Sequence, residues 1–122
     1  MLYVNFKKNG DIIKMRTKKL KLKMIKRSHN PDKKYDAIFI TPNGTKIVPF
    51  GSSAHNDFIL YTRKQGIKVG KEHRKRYIQR HSGMGEHWNQ PDTPGALSRW
   101  MLWGKYPSLR KSMKLFRKKF NV

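Results

Sequence analysis

No cysteine occurs in the 122 residues of this chain. That excludes disulfide staples and thiolate metal sites, and it fits a reducing compartment without requiring one. Acids are scarce as well: seven Asp and Glu stand against 29 Lys and Arg, giving a formal net charge of +22. Paired carboxylates for acid–base chemistry have few places to come from, so an enzyme is not expected. Long apolar runs are also missing. The N-terminal stretch holds no run of signal-peptide length, and nothing approaches the ~20 apolar residues of a spanning helix. The expectation is a soluble or peripheral protein made in the cytosol, with neither a signal peptide nor a transmembrane segment. There is no Walker loop, dinucleotide fingerprint or Ser/His/Asp set, so no cofactor and no small-molecule substrate is expected.

Charge of one sign dominates what is present. A domain carrying +22 repels itself and is most stable beside something acidic: nucleic acid, an anionic membrane or an acidic protein surface. Hydrophobic residues make up 36% of the chain and include three Trp, five Tyr and six Phe, enough for a modest core. The length suits a single domain. Within it, a basic N-terminal hairpin and strand region over residues 1–30 is expected to run continuously into an α+β part over 31–122.

Leu2-Tyr3-Val4-Asn5-Phe6 and Ile12-Ile13-Lys14-Met15 flank Asn9-Gly10, a strong short-range hairpin signal. Arg16, Lys18, Lys19, Lys21, Lys23, Lys26 and Arg27 come next with no acid among them. Leu20, Leu22 and Met24 alternate with Lys19, Lys21 and Lys23, which predicts a half-buried strand with a cationic outer face; Ile25 spoils the alternation. Ser28 to Asp32 is turn chemistry. Tyr35–Ile40 reads as a strand, Pro42-Asn43-Gly44 as a tight turn, and Lys46–Phe50 as the returning strand. Pro49 cannot donate to a ladder, which puts that strand at an edge or ends it there. Gly51-Ser52-Ser53 opens a loop, and Phe58–Tyr61 is a short apolar segment of undecided type.

The second half turns helical. Lys71 to Ser82 predicts a helix with Tyr77, Ile78 and His81 on one face and Gly83 as its stop. Thr93-Pro94 starts the next, with Leu97, Trp100 and Met101 at i, i+3, i+4 and Gly104 closing it. Ser108 caps a third, whose apolar stripe is Leu109, Met113, Phe116 and Phe120. Strands first and helices after define an α+β fold, an N-terminal antiparallel β-meander packed against three C-terminal helices.

Several segments carry a resemblance: Phe50-Gly51, Asn56-Asp57-Phe58, Arg76-Tyr77-Ile78-Gln79-Arg80-His81, Trp88, Gly95-Ala96-Leu97-Ser98-Arg99-Trp100, Leu102-Trp103, Pro107-Ser108-Leu109 and Lys118-Lys119-Phe120. In this pattern, over residues 35–122, the chain resembles a family of small basic proteins encoded by large double-stranded DNA viruses of eukaryotes. The resemblance implies a viral setting and a virion component. It implies no mechanism, and it carries over no catalytic or ligand residue.

Two basic surfaces lead the candidates for function. Lys19, Lys21 and Lys23 on one sheet face, and Lys111, Lys114 and Lys118 on one helix face, form ladders of point charge that can track phosphates without regard to sequence. A merely solvated face is the competing explanation, and the near absence of acid argues against it. The expected polyanion-binding set is Arg16, Lys18, Lys19, Lys21, Lys23, Lys26, Arg27, Arg76, Arg80, Arg110, Lys111, Lys114, Arg117 and Lys118.

Arg76, Arg80 and Arg99 fall near Tyr77, Trp88, Trp100 and Trp103. Arginine beside aromatics can stack on bases or clamp phosphate, or it can pack across the rings of a tryptophan core. Helical spacing favours the core, with Trp100 inside and Trp103 the one left exposed. Of the five histidines, His73 and His81 are eight apart on the predicted helix, and His81 and His87 could converge with Asp92 around a glycine-rich turn. Without cysteine or an i, i+4 histidine pair, no metal site is expected. His81 is expected to cap its helix end or pack on a ring. His55-Asn56-Asp57 after a hairpin has the look of a metal-dependent nuclease, yet further ligands at a suitable spacing are missing.

The function expected from these observations is that of a non-enzymatic virion structural protein. It would hold polyanions, genome DNA first, without sequence preference. Two alternatives stay open: a minor capsid or cement protein bridging coat proteins or the inner membrane, and a ribosomal or RNA-binding protein.

Overall fold

The computed structural model describes residues 20–122. The Asn9-Gly10 hairpin and the cations Arg16, Lys18 and Lys19 lie outside the described residues. Strands β1 (Lys21–Arg27), β2 (Lys33–Thr41) and β3 (Gly44–Ser52) form an antiparallel sheet in the order β1-β2-β3. Helices α1 (Phe58–Gln65), α2 (Ile67–His81), α3 (Pro94–Leu97) and α4 (Leu109–Phe120) come after the sheet, with α3 continued by a π-helical turn over Ser98–Leu102. The class is the expected α+β, with four helices among the described residues where three were expected. The additional one is α1, whose first turn is the undecided segment Phe58–Tyr61.

Alternation builds the sheet, with one interruption. Leu22, Ala37, Phe39, Val48 and Phe50 are buried on the face toward the helices. The register of β1 against β2 shifts between Leu22 and Met24, so Lys23 is an extra residue in the strand. A bulge of this kind swaps the faces of everything beyond it. Met24 is therefore turned outward, 40% exposed, and Ile25 instead packs against the core. The irregularity at Ile25 in the sequence is the trace of this bulge, and the expectation that Met24 joins Leu20 and Leu22 inside is corrected by it. Hairpin β2–β3 closes over Pro42-Asn43, with Thr41 opposite Gly44 and Gly44 at φ +120°. Pro49 lies on β3, an edge strand among the described residues, as its missing N–H requires.

Asp57 opens α1, its carboxylate accepting from the Leu60 N–H at 3.0 Å. At Gly66 (φ +94°) the chain turns from α1 into α2. The two helices pack closely because Gly70 has no side chain: a Cβ there would lie 2.1 Å from the Thr62 hydroxyl oxygen. α2 starts at Ile67, a turn earlier than expected, and its C-cap is Ser82. The left-handed glycine beyond it is Gly85 (φ +68°), two residues past the expected stop at Gly83. Thr93 and Ser108 cap α3 and α4 as expected, accepting from the N–H groups of Ala96 and Lys111.

The π turn revises the tryptophans. In it the Trp103 N–H donates to the Ser98 carbonyl five residues back. One extra residue per turn rotates the next positions inward, and Met101, Leu102, Trp103 and Gly104 are buried in succession. Trp103, 9% exposed, belongs to the core, while Trp100 is half-buried at its margin. This is the reverse of the expectation, which assumed an unbroken 3.6-residue period. Gly104 does not act as a left-handed helix stop. It is packed against the turn, where a Cβ would stand 2.5 Å from the Trp100 carbonyl oxygen.

On α4, Phe116 is fully buried and Leu109, Met113 and Phe120 pack against the core, as the stripe predicts. Arg117 ties the helix to the sheet, one Nη donating to the Leu22 carbonyl at 2.9 Å and the Lys23 carbonyl at 3.3 Å. Among the described residues, no helix is long and apolar enough to cross a membrane.

Candidate functional site

Between the sheet end, α2 and the loop after α2 lies an open cleft of about 810 Å³. Helix α2 supplies one wall through His73, Arg76, Tyr77, Arg80 and His81. Those positions are i, i+3, i+4, i+7 and i+8, the spacing that brings side chains onto one helix face. Lys33 and Lys34 of β2, with Ser52 and His55 at the end of β3 and in the turn after it, supply another. Of the residues that carry the resemblance, Gly51, Asn56, Asp57, Arg76, Arg80, His81, Gly95 and Trp103 all line this cleft.

Aromatic rings stiffen it. Trp103 stacks on Tyr77 at 4.4 Å and Tyr77 on His81 at 4.2 Å, while His73 lies flat on Tyr61 at 3.6 Å. Burial, reinforced by the nearby Glu86 carboxylate, pushes the Tyr77 phenol well above its ordinary pKa against the pull of Arg99 and Arg80. It stays protonated. His81 thus packs on a ring, one of the two roles expected of it, and also bonds Glu86 through Nδ1. The other Glu86 oxygen accepts from the Trp88 indole at 2.8 Å.

Both carboxylates in the cleft are committed. Asp57, buried, holds the Lys34 ammonium at 2.6 Å as well as the start of α1. Glu86 serves His81 and Trp88. Lys33, Arg76 and Arg80 are exposed and, among the described residues, have neither a carboxylate partner nor a side-chain hydrogen bond. Elsewhere Lys46 pairs with Asp92 and His29 with Asp36. Lys34 and Lys46 are the lysines that meet a carboxylate among the described residues, and no described arginine does. Among the described residues, the surplus cations of the sequence thus remain surplus in the fold.

The expected binding residues spread over three surfaces. Lys21, Lys23, Lys26 and Arg27 are exposed along β1. Arg110, Lys111, Lys114 and Lys118 are exposed on α4, whereas Arg117 is held by the β1 carbonyls. Arg76 and Arg80 are the two that the fold brings into this cleft. Sequence reasoning did not name Lys33, and it weighed His55 and His73 only as metal ligands rather than as neighbours of Arg76 and Arg80. For His73 the signal was available, since it completes the stripe of Arg76, Tyr77, Arg80 and His81. Lys33 and His55 reach the cleft only through tertiary folding.

Two further arginines meet behind the cleft. Arg74 Nε donates to the carbonyls of Trp103 (3.1 Å) and Gly104 (2.7 Å), and Arg99 Nη1 donates to that of Trp103 (2.9 Å). These carbonyls belong to the C-terminal end of the π turn, where partial negative charge gathers and cations are favoured. Burial holds both guanidiniums below their ordinary pKa, helped for Arg99 by the charge of Arg74. Arg99 also lies over Trp100 at 4.1 Å and Trp88 at 5.2 Å, so it packs across rings. Among the described residues no cluster of three or more His, Asp or Glu could hold a metal ion. His81 and Asp92 are instead engaged with Glu86 and Lys46. Comparison with family models, curated proteins and solved structures finds no match.

Proposed function

We propose that this protein is a non-enzymatic polyanion-binding protein. It holds nucleic acid without sequence preference, as genome DNA in the virion that the resemblance implies. One observation carries the proposal: Arg76 and Arg80 stand one turn apart in a cleft whose carboxylates are already occupied. Among the described residues their charge meets no carboxylate, and phosphate oxygens match the planar fork of a guanidinium. The exposed lysines of β1 and α4 extend the same positive field over surfaces that a polymer can track.

The test is the salt dependence of binding to duplex DNA of random sequence. Apparent affinity should fall linearly with salt on a logarithmic scale, with a slope of about −0.9 per phosphate neutralised, and equally for unrelated sequences. Affinity that ignores salt, or that depends on one sequence, refutes the proposal.

A further inference from the structure

A groove of about 490 Å³ shares the 100–104 segment with the cleft: Trp103 lines the cleft, Trp100 and Gly104 the groove. Four cations line it, Arg74, Lys105, Lys118 and Lys119, with no carboxylate among the lining residues. The rest of the wall is apolar, from Leu115, Phe116 and the Trp100 ring.

Two features make this a built surface. Arg74 is immobilised through Nε by two carbonyls, and its Nη nitrogens have no hydrogen-bond partner among the described residues. A half-buried guanidinium held in this way presents its remaining donors without further ordering. Trp100 is fixed as well, its indole N–H donating to the Trp88 carbonyl at 2.8 Å. Over the Trp100 ring, 4.4 Å from its centre, lies the ammonium of Lys119. Lys119 is exposed, on a flexible stem, and covers an aromatic face that a flat ligand could take in its place.

We propose that this groove is a single-strand subsite, in which one nucleobase stacks on Trp100 while the adjoining phosphodiester rests on Arg74 and Lys118. Lys119 swings from the ring to the backbone as the base enters. Duplex DNA keeps its bases stacked inside and offers only phosphates, so the aromatic half of the groove selects unpaired strands. The inference rests on the polyanion reading above and narrows it to a class of ligand.

Three probes separate the two: an oligothymidylate, base-free inorganic polyphosphate, and duplex DNA, each titrated into the full chain with tryptophan fluorescence recorded. The oligothymidylate should quench fluorescence and polyphosphate should not. Trp100→Leu should weaken oligothymidylate roughly tenfold or more while leaving polyphosphate unchanged. Trp100→Phe, which preserves a stacking ring, should keep affinity within a few-fold and lose the quench. Quenching that persists in Trp100→Phe overturns the subsite, as does equal loss of both probes in Trp100→Leu. Tighter binding to phosphatidylserine vesicles than to the oligothymidylate overturns it as well. Salt-dependent binding of duplex and polyphosphate with no excess for the single strand overturns the subsite alone. Absence of binding to all three probes at low salt overturns the polyanion reading, and the subsite with it.

Discussion

Trp103 lies flat on Tyr77, with ring centroids 4.4 Å apart and planes within 6° of parallel. The contact joins the π turn to α2 and forms the back of the cleft, so the core and the candidate site share a pair of rings. Trp103→Ala should cost about 3–5 kcal/mol, as large-to-small changes of buried aromatics do. Trp100→Leu, at the margin of the core, should cost clearly less. Urea unfolding of both variants checks the ranking, and equal losses contradict the burial seen here.

Arg76 and Arg80 should act on binding and hardly on folding. Replacing each with Gln should reduce the magnitude of the salt slope for duplex DNA by roughly one unit, if each neutralises one phosphate. Arg117→Gln should behave in the opposite way. Its guanidinium holds the Leu22 and Lys23 carbonyls, so the variant should lose about 1 kcal/mol of stability and keep its slope. Filter-binding titrations over a range of salt, beside thermal melts, separate the two classes.

Asp57 combines a helix cap and an ion pair in a buried carboxylate. Asp57→Ala removes the cap and strands the mostly buried Lys34 ammonium, and should cost about 3–5 kcal/mol. Lys34→Met should cost less, because the Asp57 carboxylate keeps its Leu60 N–H partner. Denaturant midpoints for the two variants decide this, and a larger loss in Lys34→Met would contradict it.

Asp36 gives the fold a sensitivity to acid. Burial alone would raise its carboxyl pKa. Hydrogen bonds from the His29 ring, the Ser28 hydroxyl and the His29 N–H, with the charge of His29, outweigh burial and hold it below the usual carboxylate value. A folded-state pKa below the unfolded value of about 3.9 contributes stability that is complete above that pH and lost as pH falls through the folded value. The stability gap between the wild type and Asp36→Asn should therefore narrow as pH falls from about 5 to below about 4. Melting temperatures across that range test the sign; a gap that widens in acid is the contrary result.

Much of the order of elements was legible because it rests on local chemistry. Thr93, Ser108 and Pro49 act through bonds to near neighbours or through a missing donor, and each does in the fold what its type predicts. The α4 stripe also needs only its own period. Where the periodicity broke, at the bulge of Lys23 and the π turn of Ser98–Leu102, sequence reasoning put Met24 and Trp103 on the wrong side. Each insertion is one residue long and is met by a partner distant in the chain, Arg117 at the Leu22 and Lys23 carbonyls and Arg74 at the Trp103 carbonyl.

Composition alone determined that a large positive charge would go uncompensated, since seven acids cannot neutralise 29 bases in any fold. Where that charge gathers was decided only by tertiary structure. The pairing of Asp57 with Lys34 and of Glu86 with His81 leaves Arg76 and Arg80, among the described residues, without a carboxylate partner in one cleft. The Trp103 and Gly104 carbonyls hold Arg74 at the edge of a second concavity. Net charge is a sum over residues and survives any rearrangement of them; a site is a set of distances, and those exist only once the chain has closed on itself.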